Sequence, residues 1–225
     1  MARILGKIVT TALWCLGCTL FTVSVAWAQS QRVMVLDTEG AAVPDAVVEL
    51  VALSGGSRAS SPLVTEVDQV EKEFVPLVTV IPVGSQVNFP NSDDILHHVY
   101  SFSPAKTFDI PLYGSESNMV FSQVFDNAGV VEIGCNIHDW MLAYIYVTAA
   151  GHAATTDETG VAGFADVSPG AYQLRVWHPR LTSSQPVELD LQVTAGVNQD
   201  VSVSLELGRD RRLRRAPSTT RNRYR

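Results

Sequence analysis

The residues able to do chemistry in this chain are few, and most of them stand together. Cys135, His138 and Met141 form a Cys-x2-His-x2-Met run, and His97 lies upstream in the segment 91–102. A thiolate, two imidazoles and a weak thioether are the donor set of a mononuclear copper site that moves electrons. Thiolate and thioether suit Cu(I) and imidazole suits Cu(II), so a mixed set on a rigid scaffold serves both oxidation states. One thiolate with two or three imidazoles also holds zinc tetrahedrally, which keeps zinc open as the rival metal. Taken singly, each residue has a plainer use: a buried cysteine is commonly a small core hydrophobe and a methionine core filler. Covalent haem needs Cys-x-x-Cys-His, which is absent. No orienting group or oxyanion donor flanks Cys135 and His138 to make them a nucleophile and its base.

The cysteine count sharpens the metal reading. Of three cysteines, Cys15 and Cys18 lie in an N-terminal stretch with Arg3 and Lys7, an apolar run over about 8–25, and Ala26-Trp27-Ala28. That pattern predicts a signal peptide over 1–28, cleaved near Ala28, and a periplasmic or secreted mature chain. A retained membrane helix and a lipoprotein cysteine at Cys18 are the alternatives. After cleavage only Cys135 remains, so no intramolecular disulfide is available. A lone thiol in an oxidising compartment is a liability unless something, such as a metal ion, occupies it.

Charge is unevenly spread. Residues 29–208 carry 22 acidic and six basic side chains, a net charge of −16, whereas 209–225 carry eight Arg against Asp210. The acidic body excludes nucleic acid as a partner and suits a positively charged protein. The Arg-rich tail, 209–225, has almost nothing to bury and is predicted to be disordered. It is either a solvated terminus or a contact for an anionic membrane surface.

The elements that must position the donors read as β throughout. Val33-Met34-Val35-Leu36, 46–50, 77–81, 99–102, 120–125, 143–147, 172–177 and 201–207 are rich in β-branched and aromatic residues. Turn clusters such as Asp37-Thr38-Glu39-Gly40, Pro82-Val83-Gly84-Ser85 and Ser168-Pro169-Gly170 separate them. The expected class is all-β, a sandwich or barrel. Cys135, His138 and Met141 are expected on a short connection between strands, where side chains can converge.

Two resemblances organise these strands. Segments 33–53 and 155–178 resemble the two halves of the carboxypeptidase-regulatory-like, prealbumin-type β-sandwich. They imply a host sandwich built from 29–61 and 149–208, because about 30 residues cannot bury a core unaided. Two β domains in simple succession are the alternative. The segment between, 62–148, resembles the cupredoxins. The resemblance rests on Phe74-Val75-Pro76, on 83–89, on Asn91-x-Asp93, on the pair His97-His98 before an alternating strand, and on the closing Cys-x2-His-x2-Met. Its ligand run looks most like that of amicyanin, and the whole is similar to cupredoxin-domain proteins labelled methylamine utilisation proteins.

That resemblance implies a cupredoxin Greek-key β-sandwich inserted in, or flanked by, the prealbumin-like one. It also implies one type 1 copper ion per chain, held by His97, Cys135, His138 and axial Met141. His98 falls where many members have an Asn that tethers the ligand loop, and it is open between that supporting role and metal ligation. His138 is implied as the point where electrons enter. Trp140 either presents an apolar docking surface or packs on the host sandwich; His152 and His178 read as structural or exposed. The expected function is one-electron transfer with a redox protein, a cytochrome or quinoprotein, and no enzymatic bond-making. A periplasmic copper carrier or sensor without redox turnover is the alternative.

Overall fold

The computed structural model describes residues 30–54, 60–117, 120–183 and 185–214. The expected signal peptide and residues 215–225 of the tail lie outside them. The described chain is all-β. It begins with β1 (Gln31–Asp37) and β2 (Val47–Ala52) and continues through β3 (Val64–Glu66), β4 (Asp68–Val70), β5 (Glu73–Val75), β6 (Val78–Pro82) and β7 (Ser85–Phe89). Next come β8 (His97–Ser103), β9 (Lys106–Tyr113), β10 (Phe121–Phe125), β11 (Gly129–Cys135) and the long β12 (His138–Thr148). The last strands are β13 (His152–Thr155), β14 (Val161–Phe164), β15 (Gly170–Trp177), β16 (Val187–Val193) and β17 (Gln199–Leu205). Short 3₁₀ turns occupy Ser115–Ser117 and Arg211–Arg214.

These strands enclose two separate cores. Sheets β14-β1-β17 and β13-β2-β15-β16 come from both ends of the chain. They close over Val33, Val35, Leu50, Leu174, Val203 and Leu205. Period-2 alternation builds this core: Val33 and Val35 point inward from β1 while Arg32 and Met34 face out. Sheets β10-β7-β3 and β6-β12-β11-β8-β9, with the small β4-β5 hairpin, come from the middle of the chain. They close over Phe89, Val99, Ile110, Phe125, Ile133 and Ile145, and Cys135 and Met141 belong to that same cluster.

The chain leaves the first sandwich after β2 and returns as β13, and these two strands are hydrogen-bonded neighbours, Leu50 opposite His152. Adjacent ends allow a whole domain to sit between them without distorting the host. Tyr144 and Tyr146 of β12 stand on the outer face of their sheet, each 5.7 Å from the Trp177 ring of the first sandwich. Val47 and Val78 complete this apolar seam. The buried Glu49 carboxylate lies in it too, accepting from the Thr148 hydroxyl and, at 3.4 Å, from Tyr146. A buried charge without such donors would be costly.

Two expectations need correcting. The Cys135–Met141 stretch is not a loop: β11 runs through Cys135 and β12 starts at His138, leaving Asn136-Ile137 as the connection. A spacing of two suits a tight hairpin as well as an open loop, so the motif alone does not separate them. The tail's described residues, 209–214, moreover, are held in contacts. Gly208 N–H donates to the Arg180 carbonyl at 2.6 Å, and Arg211 meets Glu132 at 2.7 Å. Arg212 pairs with Asp210 at 2.9 Å. Glu132, remote in sequence, is a partner that composition does not reveal.

Candidate metal centre

His97 is the first residue of β8, opposite Tyr113 of β9. Side chains of a strand alternate between faces, so His97, Val99 and Ser101 are buried inward and His98, Tyr100 and Phe102 take the other face. Asn91 anchors the preceding loop, its amide donating to the Ile95 carbonyl at 3.0 Å and the Tyr113 carbonyl at 2.8 Å. Below it, the Tyr113 hydroxyl donates to the Phe89 carbonyl at 2.7 Å and accepts from Gln69 at 2.5 Å. Burial holds the Tyr113 phenol far above its ordinary range, so it stays a neutral donor. Cys135 follows Val131 and Ile133 inward at the end of β11, with a bulge at Gly134/Cys135 and His138 as its cross-strand partner. Bulges re-aim side chains at strand ends.

The result is a convergent donor set. Cys135 Sγ lies 3.9 Å from His97 Nδ1 and 3.8 Å from His138 Nδ1. All three donor atoms fall within 4.8 Å of one another. Metal bonds of about 2.3 Å to sulfur and about 2.05 Å to nitrogen place S and N about 3.8 Å apart at a trigonal angle and about 3.6 Å apart at a tetrahedral one. The observed gaps lie within a few tenths of an ångström of both values, the spacing that one ion between the three atoms requires. His97 and Cys135 are buried and His138 half-buried. Met141 is 1% exposed in the same core cluster as Cys135.

The protonation states suit ligation. His97 Nε2 is 2.6 Å from Asp93 Oδ2. Burial pushes the Asp93 carboxyl up, but the Lys72 N–H, the His97 ring and the Glu71 N–H outweigh it and hold it below the ordinary carboxylate range. The ionised carboxylate therefore accepts a proton-bearing Nε2 and leaves the Nδ1 lone pair facing the thiol, an arrangement typical of metal-bound histidines. Burial, reinforced by the charge of Lys72, pulls His138 below the usual histidine range, so its imidazole is neutral near pH 7.

His98 is not brought to the donors. Its Nε2 meets Asp109 of β9 at 2.6 Å, away from the ligand hairpin, and its Nδ1 has no partner among the described residues. Trp140 packs on its own sandwich rather than on the other one, its indole N–H donating to the Lys72 carbonyl at 3.1 Å. His178 is buried away from the cluster; its Nδ1 accepts from the Arg180 N–H at 3.1 Å. His152 is half-buried, its ring 6.3 Å from Phe164. The sequence reading assigned no role to Asp93. Its signals were its place in the Asn91-x-Asp93 run and its position four residues before His97.

No family model matches the chain, and no curated protein does. Among solved structures it is similar to a purple cupredoxin from Nitrosopumilus maritimus, with 24% identity over 37% of this chain and 99% of that one, at a TM-score of 0.33. It is also similar to a copper-containing nitrite reductase from Thermus scotoductus, with 27% identity over 43% of this chain and a TM-score of 0.36; only 25% of that enzyme is spanned. The Cu(I) form of an amicyanin variant aligns with 20% identity over 45% of this chain and 98% of that one, at a TM-score of 0.34.

Proposed function

We propose that this chain holds one copper ion between His97 Nδ1, Cys135 Sγ and His138 Nδ1, with the Met141 thioether as a weaker fourth donor, and serves as an exported electron carrier. The carrying observation is the donor triangle, with sulfur 3.8 and 3.9 Å from two imidazole nitrogens. A thiolate beside two imidazoles, with a thioether in the same core cluster, is the donor set that favours copper over zinc. When bound, copper supplies one-electron chemistry between Cu(I) and Cu(II).

The chain's own residues do the rest. Cys135 offers a thiolate from a dry, packed position. Asp93 keeps the His97 lone pair aimed at the site. His138 is the least buried donor, and exposed Leu96 and Ile137 are the chain neighbours of the two histidines. An apolar rim around a half-buried imidazole excludes water while letting a partner approach closely, so electrons enter at the His138 edge. The acidic body steers a positively charged redox partner, a cytochrome or quinoprotein, toward it. A second reading, copper carriage without redox turnover, draws on the partial exposure of His138, through which a recipient's donor can reach.

The test is to add Cu(II) to the purified protein and record the visible spectrum and the electron paramagnetic resonance. An intense thiolate-to-copper band, absent in Cys135→Ala, is the expected result. A colourless protein that takes up one equivalent of zinc in preference to copper overturns the proposal. Fast reversible cycling with a redox protein separates carriage of electrons from carriage of copper.

A further inference from the structure

Both imidazoles of the donor triangle are supported, through different side chains, by the backbone of one residue, Lys72, on a neighbouring hairpin. Strands β4 and β5 pair Val70 with Glu73, which leaves Glu71 and Lys72 as a two-residue turn. Both lie in the left-handed region, with φ of 50° and 62°. A type I′ hairpin requires that backbone, and Asn-Gly is the pair that adopts it readily. Glu-Lys does not, so the turn is strained and persists only where its surroundings hold it.

The surroundings that hold it are the metal centre's own supports. Asp93 Oδ1 accepts the Glu71 N–H at 2.6 Å and Oδ2 accepts the Lys72 N–H at 2.8 Å. That same Oδ2 is 2.6 Å from His97 Nε2. On the other side of the turn, the Lys72 carbonyl accepts the Trp140 indole N–H at 3.1 Å. The Trp140 ring lies 5.2 Å from the His138 ring. A continuous path therefore runs from His97 through Asp93, the Lys72 backbone and Trp140 to His138.

We infer that the Glu71–Lys72 turn is a clamp that sets both imidazoles together, with Asp93 and Trp140 as its positioning residues. This inference rests on the proposed copper site for its purpose, though not for its geometry. Groups behind a metal ligand fix its ring orientation, and their loss weakens metal binding about ten- to a hundredfold. Here the two groups share one support, and residues that share a partner give non-additive effects. The hydrogen bonds use only backbone atoms of residues 71 and 72, so the side chains there can change without breaking them, although the Lys72 charge also acts on His138.

The experiment has a metal-free arm and a copper arm. In the apo-protein, nitrogen-15 NMR of His97 reads an Nε2–H tautomer, and hydrogen exchange of the Trp140 indole N–H is slow. In Asp93→Ala the tautomer preference is lost and the indole exchange accelerates, although Asp93 does not touch Trp140. Unchanged indole exchange in that variant overturns the clamp, whatever copper does. Should Asp93→Ala fail to fold, Trp140→Phe keeps the ring and removes the N–H, and the His97 tautomer is then the readout.

In the copper arm, Asp93→Ala and Trp140→Leu each bind Cu(I) about ten- to a hundredfold more weakly. The double variant is no weaker than the weaker single one; losses that multiply overturn the shared support. The paired change Glu71→Asn with Lys72→Gly retains affinity and spectrum with a raised Tm. A loss there as large as in Asp93→Ala assigns the effect to the Lys72 side chain and also overturns the clamp. If the apo signals respond as expected while the wild-type protein takes up no copper, the copper reading fails and the clamp stands.

Discussion

His97 in one sandwich and His178 in the other are both buried, and the two do opposite work. His97 has no exposed surface and His178 is 6% exposed. His178 is closed on backbone: Nδ1 accepts the Arg180 N–H at 3.1 Å, and the ring also bonds to Pro44, whose only backbone hydrogen-bonding group is its carbonyl. Burial, reinforced by the charge of Arg180, drops its pKa to about 4. His97 gives one nitrogen to a carboxylate and turns the other to a thiol 3.9 Å away. Burial alone therefore says little about a histidine's role; what each nitrogen faces decides it. The cores differ in the same way. One is aliphatic around Leu174 and Leu205, whereas the other places Cys135 and Met141 in its packed cluster.

The broadest test of this division crosses one change in each sandwich. Leu174→Ala removes a fully buried side chain and is expected to lower unfolding free energy by about 2–5 kcal/mol, read by urea denaturation. The folded variant keeps its copper band. Cys135→Ala does the reverse, losing the band while the protein stays folded. Loss of the band in folded Leu174→Ala would show that the two sandwiches are not independent.

The buried histidine of the first sandwich makes a pH prediction. Unfolded, His178 takes up its proton near pH 6.5; folded, it does so only near pH 4. The unfolded state thus binds more protons between those values, and stability present above about pH 6.5 falls as pH drops toward 4. The contribution is up to about 3 kcal/mol. His178→Gln should flatten that part of a stability–pH curve, and an unaltered slope would assign it elsewhere.

Smaller effects sharpen the contrast from the metal side. Met141→Leu conserves volume in a packed core and is expected to change stability by less than about 1.5 kcal/mol. The colour persists, but the reduction potential shifts, because the axial donor that tunes it is gone. An unchanged potential in voltammetry would remove Met141 from the donor set. Arg211→Ala breaks the partly exposed pair with Glu132 and should change stability by no more than about 1 kcal/mol, an effect that fades in high salt.

Much of this molecule was legible as pattern. Alternation in 33–36 and the run 99–102 announced strands, because a pleated chain that buries one face must alternate. Cys135 and His138 were legible as neighbours because they lie on one hairpin, where covalent spacing alone keeps them close. What was illegible is long-range. Nothing near Trp140 announces the Lys72 carbonyl that its indole meets, and nothing near Glu49 announces Thr148. The Arg-rich segment read as unstructured because its partner Glu132 is remote in sequence.

By itself, then, the sequence determined the kinds of donor available, their local spacing and the β character of the scaffold, since all three follow from side-chain chemistry and from periods of a few residues. The tertiary structure decided which of the paired histidines turns inward, which of its nitrogens faces the sulfur, and which carboxylate holds the other. Those outcomes depend on strand register and on hydrogen bonds closed between distant segments. Only the folded chain brings such segments within the few ångströms over which a proton or a lone pair is oriented.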